Sequence, residues 1–225
     1  MSTYKLVEQG KKHKRAPQNI DTNPIIIGHE FAGVIVKVGA KWQDQFKPGQ
    51  KFAQQPALNY KGSLASPGYS YEYFGGACTY CIIPHEVMEL GCLMEYKGDS
   101  FFEASLGEPM SCIIGGYHAN YHTNKKNYNH TMGTKEDGNI LILGGCGPMG
   151  LGAVSYGIQF DNKPKRIVVT DISDERIARA KQMISPEQAA EKGVELLYVN
   201  TAAMADPVEG LMNISEGHGY DDVFV

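Results

Sequence analysis

The sequence lacks several features that would mark whole classes of protein. No apolar run approaches the length of a membrane span, and the N-terminal segment MSTYKLVEQGKKHKRAP has no apolar signal core. Its five cysteines are an odd number and do not suggest a disulfide framework. The formal net charge is −4, so no nucleic-acid-binding surface is indicated. We therefore expect a cytoplasmic protein with reduced thiols that binds neither membranes nor nucleic acid.

The composition is that of an ordinary globular protein. Its 225 residues are enough for one or two domains, with 42% hydrophobic and 20% charged residues. There is no internal repeat and no low-complexity tract, so the prediction depends on motifs and on the order of strands and helices.

A glycine-rich turn follows the most apolar strand pattern of the chain, Ile140 to Leu143. Three glycines that follow have the G-x-G-x-x-G spacing of a turn in which backbone approaches a pyrophosphate at a helix N-terminus. The residues of this predicted cradle are Gly145, Gly147, Pro148, Met149 and Gly150. The motif alone is weak, and an ordinary glycine-rich turn is the alternative.

An acidic residue lies where such a unit would bind the adenosine ribose. Asp171 ends a second apolar strand and comes 21 residues after Gly150. An acid at this point favours NAD(H), whereas Arg176 is near enough to meet the 2′-phosphate of NADP(H). Asp171 could also cap the helix predicted at 174–183, and the two roles are compatible.

The strand and helix patterns divide the chain into two halves. Residues 25–52 contain short β-branched strands between glycine and proline turns, which predicts a small antiparallel barrel. Residues 54–76 are predicted to be rich in loops, and residues 77–83 are predicted as a further strand. The second half alternates strands and helices, which predicts a doubly wound parallel sheet. Its predicted elements are strand 140–143, helix 149–160, strand 166–171, helix 174–183, strand 194–199, helix 207–214 and strand 221–225. We predict loops at 1–24 and 122–139, and one or two helices within 101–121.

Three side chains form a possible metal site. His29 and Glu30 follow a glycine near the start of the strand-rich half, and Glu108 lies in an otherwise apolar segment, where a carboxylate needs a partner. One imidazole with one or two carboxylates is typical of an open zinc site, in which water or substrate takes the remaining position.

Other titratable clusters are weaker. Cys78 and Cys81 have the C-x-x-C spacing, but no second cysteine pair follows, and on a strand they would face opposite sides. We interpret Cys146 as a small core filler. His118 and His122 would share one helical face without a His-Glu-x-x-His frame, so we interpret them as structural or exposed.

A short basic run, Lys11 to Arg15, is an electropositive spot on an acidic chain. A solvated loop is the simpler interpretation. The alternative is that Lys14 and Arg15 recognise the phosphate of an anionic substrate.

Taken in order, these motifs resemble the zinc-dependent medium-chain alcohol and polyol dehydrogenases. The residues that carry the resemblance are Gly28-His29-Glu30, Phe46-Lys-Pro-Gly49, Gly75-Gly76-Ala77, Glu108-Pro109 and Gly145-Cys-Gly-Pro-Met-Gly150. Asn59-Tyr-Lys-Gly-Ser63 and Pro67-Gly-Tyr-Ser-Tyr71 are most similar to the L-sorbose 1-phosphate reductase branch, which interconverts a ketose phosphate and a hexitol phosphate. The resemblance implies an α/β protein, with a partial GroES-like β-barrel catalytic domain at 1–115 and a partial Rossmann dinucleotide-binding domain at 116–225.

The resemblance also implies roles for the site residues. His29 and Glu108 would bind zinc, Glu30 would be a ligand or a close neighbour of the ligands, and Ser2 would be a proton-relay hydroxyl. The implied cofactors are Zn and either NAD or NADP, the substrate is a small sugar phosphate or polyol, and the full-length protein is expected to be a homo-oligomer.

Two departures from the family lead to alternatives. The family's zinc-binding cysteine would fall just before Met1, and the sequence stops within the fourth Rossmann strand, so we expect a chain truncated at both ends. A zinc-free, quinone-reductase-like member of the same fold is one alternative to the zinc enzyme. A non-catalytic remnant that only binds a nucleotide is the other.

Overall fold

A computed structural model describes residues 2–225, except the side chain of Ser2. The chain divides into two compact units, Met1–Pro109 and Met110–Val225. The division falls after Pro109, whereas the sequence predicted it after residue 115. Among the described residues, no helix is long and apolar enough to cross a membrane.

The first unit contains a small antiparallel sheet. Its strands lie in the order β1-β2-β3, and Phe52 and Leu93 of this sheet pack in an apolar cluster with Phe74 and Val87. Its elements are α1 (Ser2–Gln9), β1 (Ala32–Val34), β2 (Lys51–Gln54), α2 (His85–Glu89), β3 (Leu93–Glu95) and α3 (Phe101–Ser105). Helix α4 (Gly107–Ala119) begins in this unit.

Two predictions for the first unit are wrong. Residues 2–9 form a helix instead of a loop, and the buried side chain of Leu6 anchors it. Residues 77–83 are not a strand. They are held by single bonds, from Ala77 N to Ile27 O at 3.0 Å and from Ile82 N to Tyr73 O at 2.9 Å, in place of a continuous ladder. This irregular segment lies directly against the backbone that leads to His29.

The second unit is built on a four-stranded parallel sheet. Its elements after α4 are β4 (Tyr121–Thr123), β5 (His130–Met132), β6 (Asn139–Ile142), α5 (Pro148–Gly157), β7 (Arg166–Asp171), α6 (Asp174–Met183), α7 (Pro186–Glu191), β8 (Glu195–Asn200), α8 (Pro207–Ile214) and β9 (Asp222–Phe224). The sequence predicted the bounds of β7, α6 and α8 correctly. It missed α7, and the loop predicted at 122–139 is wrong because β4 and β5 pair there as a hairpin.

The order of the parallel strands locates a crevice. The strands lie in the order β8-β7-β6-β9, so the chain winds outward from β6 in one direction and then returns to its other side. Every residue of β7 is buried, as expected for a parallel strand covered on both faces. In such sheets, ligands bind outside the carboxyl ends of the strands where the winding direction changes. Here that point is the end of β6, where the glycine-rich turn begins.

Candidate functional site

Three predicted metal ligands converge in the first unit. One donor atom from each of His29, Glu30 and Glu108 lies within 4.8 Å of the others. His29 Nε2 is 3.7 Å from Glu30 Oε1 and 3.9 Å from Glu108 Oε1. The side chains of His29 and Glu108 are 11% and 12% exposed, whereas that of Glu30 is 55% exposed. The cluster is therefore a largely buried pair with one carboxylate open to solvent.

Backbone and side-chain contacts fix the position of His29. Gly28 has a φ of +88°, which a glycine adopts without strain, and its carbonyl accepts a hydrogen bond from Gly76 N at 2.8 Å. The carbonyl of His29 accepts a hydrogen bond from the buried side-chain amide of Gln54 on β2. Glu108 is the second residue of α4, so a helix holds the second buried member of the cluster.

The donor set is compatible with zinc. An imidazole nitrogen and two carboxylate oxygens are ligands that zinc accepts, and three protein ligands leave a position for water or substrate. The buried Gln54 Oε1 has no hydrogen-bond partner among the described residues, so an unused acceptor remains beside the His29 backbone. Sequence reasoning missed Gln54. The signal was a polar residue at an inward position of a strand with alternating burial.

A large cavity of this unit lies elsewhere. It measures about 830 Å³ and runs along the residues of β1 and the segment 78–83, and none of the three metal-site residues lines it. Its lining is mostly apolar, including Phe31, Trp42 and Met88. We favour the three-residue cluster over this cavity as the reactive site because the cluster brings three potential metal-binding donors within 4.8 Å of one another.

One aromatic ring, that of Tyr69, contacts both a histidine of the basic run and the histidine of the metal cluster. Tyr69 stacks on His13 with ring centroids 5.3 Å apart, and it contacts His29 in a tilted arrangement with centroids 5.0 Å apart. The guanidinium of Arg15 donates to the Leu64 carbonyl at 2.9 Å, and Lys14 is exposed. Tyr69 was not identified from the sequence, because nothing in the pattern shows that residues 13, 29 and 69 meet.

The glycine-rich turn of the second unit has the geometry that its spacing predicted. A β-carbon on Gly150 would overlap the carbonyl oxygen of Gly145, so the helix packs directly on the turn. Gly147 has no atom within 4 Å of such a β-carbon, and it is the N-cap of α5 without a side-chain cap. Open space above an uncapped helix N-terminus is suited to an anionic group.

The turn borders a small cavity. It measures about 220 Å³ and is lined by residues that include Gly144, Gly145, Met149, Cys112 and Phe224. Gly144 N donates to Thr170 Oγ1 at 3.3 Å and Gly145 N donates to Thr170 O at 2.8 Å, which ties the turn to the end of β7. Thr170 was not predicted as a site residue.

Asp171 has a structural role at the end of β7. It is 4% exposed, and its Oδ1 accepts from Ile172 N at 2.8 Å and from Ser173 N at 3.2 Å. The N-cap of α6 is Ser173, so Asp171 shapes the turn before the helix and does not cap it. Arg176 is exposed on the first turn of α6. The nucleotide-binding roles of Asp171 and Arg176 stay predictions.

The weaker clusters have structural explanations. Burial, and then the neighbouring Cys78 thiol, raise the pKa of Cys81 to about 11, so the thiol stays protonated at neutral pH. Burial raises the pKa of Cys146 to about 11 as well, as expected for a core filler. Helix α4 ends at Ala119, so His122 does not share a helical face with His118. Its Nε2 lies 3.2 Å from Asp222 Oδ1. Ser2, the predicted proton relay, has a side chain outside the described residues.

Comparisons with known proteins agree with both units. Residues 4–96 match the alcohol dehydrogenase GroES-like domain. The whole chain is 52% identical to mannitol-1-phosphate 5-dehydrogenase of Aliivibrio fischeri and 42% identical to L-sorbose 1-phosphate reductase of Klebsiella pneumoniae, and it covers 53% of each. The chain thus spans about half the length of these curated relatives.

A solved structure supports the fold. Glucose dehydrogenase of Haloferax mediterranei, in complex with NADP, Zn and gluconolactone, aligns with a TM-score of 0.59 at 14% identity, over 85% of this chain and 51% of its own. At this identity the likeness concerns the fold alone, which combines a GroES-like domain with a parallel α/β sheet. The first unit thus carries an alcohol dehydrogenase GroES-like domain, and the chain as a whole is similar to these dehydrogenase and reductase sequences.

Proposed function

We propose that the chain carries the zinc site and the dinucleotide cradle of an oxidoreductase acting on a sugar phosphate or polyol. The reaction would transfer hydride between NAD(P)H and the carbonyl carbon or secondary alcohol of that substrate. The observation that carries the proposal is the convergence of His29, Glu30 and Glu108 within 4.8 Å. The names of the relatives, a mannitol-1-phosphate 5-dehydrogenase and an L-sorbose 1-phosphate reductase, support the substrate class.

The roles of the three residues would follow from their exposure to solvent. Zinc, when bound, supplies Lewis acidity for the substrate oxygen. His29 and Glu108 would hold the metal from the buried side through one nitrogen and one carboxylate oxygen. Glu30 is half-exposed, so its carboxylate can complete the ligand set and can also accept or return the alcohol proton at the solvent side.

The second unit would hold the nucleotide. The Gly145–Gly150 turn leaves room for a pyrophosphate at the N-terminus of α5, and Asp171 would accept a hydrogen bond from the adenosine ribose. In the reducing direction, hydride leaves the nicotinamide for the carbonyl carbon and a proton is added to the oxygen, which gives a secondary alcohol and oxidised nucleotide. The role of the chain is to bind, orient and protonate.

A nicotinamide-linked assay tests the proposal. The purified 225-residue chain is given NADH or NADPH with L-sorbose 1-phosphate, and NAD⁺ or NADP⁺ with mannitol 1-phosphate, with and without a zinc chelator. We expect turnover in at least one pairing, its loss with chelator, and its return when zinc is added. Turnover that resists the chelator, with His29→Ala unaffected, would favour a zinc-free quinone-reductase-like enzyme. Nucleotide binding with no turnover would indicate that the chain binds a nucleotide without catalysing the reaction.

A further inference from the structure

The imidazole of His29 lies against the ring of Tyr69, which also stacks on His13. The planes of His13 and Tyr69 are nearly parallel, at 14°, and those of His29 and Tyr69 are inclined by 33°. The centroid separations of 5.3 Å and 5.0 Å lie in the range of favourable ring contacts. Tyr69 therefore contacts the rings of both His13 and His29.

A close approach of two backbone segments places Tyr69 against His29. Gly68 has a φ of +74°, and a β-carbon there would overlap the carbonyl group of Gly28. Two hydrogen bonds also hold this segment. Ser66 Oγ donates to Pro56 O at 2.7 Å, and Ser66 N donates to Ser70 Oγ at 2.9 Å. Tyr69 thus follows Gly68, whose backbone lies directly against the backbone of Gly28 and His29.

The segment that carries His13, the second ring in contact with Tyr69, is also fixed. Ser70 Oγ donates to Arg15 O at 2.6 Å, and the Arg15 guanidinium donates to Leu64 O at 2.9 Å. Arg15 N donates to His13 Nδ1 at 3.2 Å, which leaves the His13 ring little freedom to rotate. Two side-chain bonds and one ring contact therefore hold residues 13–15 on the loop that carries Tyr69.

This arrangement has a consequence for metal binding. A histidine ligand must present one nitrogen in a fixed ring plane, and removing a group that fixes the plane typically lowers metal affinity about 10- to 100-fold. The His29 carbonyl is held by Gln54, but that bond leaves the ring free to turn about its side-chain torsions. Of these contacts, the stack on Tyr69 is the one that fixes the ring.

We propose that Tyr69, backed by His13, is a positioning residue that orients the imidazole of His29 toward Glu108 and so sets the metal affinity of the cluster. This inference rests on the proposed zinc site. It gives the N-terminal segment a part in metal binding although none of its side chains is a ligand. The phenol hydroxyl has no part in the argument, so only the ring is required.

Zinc and cobalt titrations of the purified chain test the inference. We expect Tyr69→Leu to weaken zinc binding about 10- to 100-fold, the usual effect of removing a group that orients a ligand. Tyr69→Phe keeps the ring and should bind as the parent does, and His13→Ala should show a smaller loss than Tyr69→Leu. Tyr73→Leu is the matched control, because Tyr73 lies in the same loop and packs on Tyr71. The visible spectrum of bound Co²⁺ should shift in Tyr69→Leu, a change that simple loss of stability does not produce.

The outcomes separate this inference from the proposed function. If His29→Ala binds zinc as tightly as the parent, the metal site itself is wrong. If His29→Ala loses zinc while Tyr69→Leu keeps parental affinity and an unchanged cobalt spectrum, only the positioning role is wrong. If Tyr69→Leu fails to fold, His13→Ala decides, since it removes the ring that stacks on Tyr69 and leaves Tyr69 in place. Parental affinity and an unchanged cobalt spectrum in His13→Ala would then overturn the positioning role.

Discussion

Glu108 Oε1 lies 3.9 Å from His29 Nε2, and both side chains are almost nine-tenths buried although they come from distant parts of the chain. A carboxylate removed from water is costly unless a cation or hydrogen-bond donors compensate it. A divalent metal bound by both residues would add such compensation at this position.

Replacing Glu108 should therefore abolish tight metal binding. We expect Glu108→Ala to weaken zinc binding by more than ~100-fold, since a direct ligand contributes more than the groups that orient it. Glu103→Ala is the matched control, because Glu103 is an exposed glutamate on the neighbouring helix α3. Competition with a chromogenic chelator measures both affinities. Equal zinc affinity in the two variants would exclude Glu108 from the metal site.

Substitutions at two glycines of the turn should affect stability and nucleotide binding separately. Gly150→Ala adds a β-carbon that overlaps the Gly145 carbonyl, so we expect a lower free energy of unfolding, by about 1–3 kcal/mol. Gly147→Ala meets no atom within 4 Å, so its stability should be parental while its affinity for NADH falls. Thermal unfolding and fluorescence titration with NADH measure the two effects. Parental nucleotide affinity in Gly147→Ala would mean that no pyrophosphate approaches that position.

The sequence predicted the second unit better than the first, for physical reasons. Strand β7 and helices α6 and α8 match their predicted bounds, because their apolar spacing and capping residues are local signals. In the first unit, residues 77–83 have β-branched and aromatic side chains but do not form a strand. Their backbone is bonded at single points, Ala77 to Ile27 and Ile82 to Tyr73, and a local pattern cannot show those contacts.

The same distinction applies to the site. The Gly28-His29-Glu30 motif and Glu108 were identified because their residue types are unusual in their surroundings. The contacts that hold them were not, since Tyr69 and Gln54 reach His29 only through the folding of separate segments.

The choice of nucleotide should depend on Asp171 and Arg176. We expect tighter binding of NADH than of NADPH, because a carboxylate favours a free 2′-hydroxyl over a 2′-phosphate. Arg176→Ala should weaken NADPH binding further and leave NADH binding unchanged. Arg179→Ala, another exposed arginine of α6, is the control. If Arg176→Ala changes the affinities for NADH and NADPH equally, Arg176 does not recognise the 2′-phosphate.

A surface network should make the first unit sensitive to acid. Glu89 accepts from Tyr60 Oη at 2.6 Å and from Lys41 Nζ at 3.1 Å, and these two bonds lower its pKa from 4.5 to about 2. Because the folded-state pKa lies below the unfolded one, the stabilisation is complete above about 4.5 and is lost as the pH falls toward about 2. Glu89→Gln should therefore be less stable than the parent near neutral pH and equal to it at the acid end. A constant difference across that range, measured by denaturant unfolding, would contradict this assignment.

Recognition of a substrate phosphate should depend on Lys14 more than on Arg15. The Arg15 guanidinium already donates to the Leu64 carbonyl, and the exposed Lys14 has greater freedom to meet a ligand. We expect Lys14→Ala to weaken binding of L-sorbose 1-phosphate about tenfold, since a hydrogen bond to a charged group contributes about 1.5 kcal/mol or more. Binding of unphosphorylated L-sorbose should not change.

Titration calorimetry at two salt concentrations checks this assignment. Lys37→Ala, the exposed cation that follows β1, is the control and should leave both affinities unchanged. Raising the salt should reduce the difference between the parent and Lys14→Ala, because ions screen an exposed charge. Equal losses for the phosphorylated and unphosphorylated sugars would mean that the basic run is a solvated segment whose contribution is to hold His13 on Tyr69.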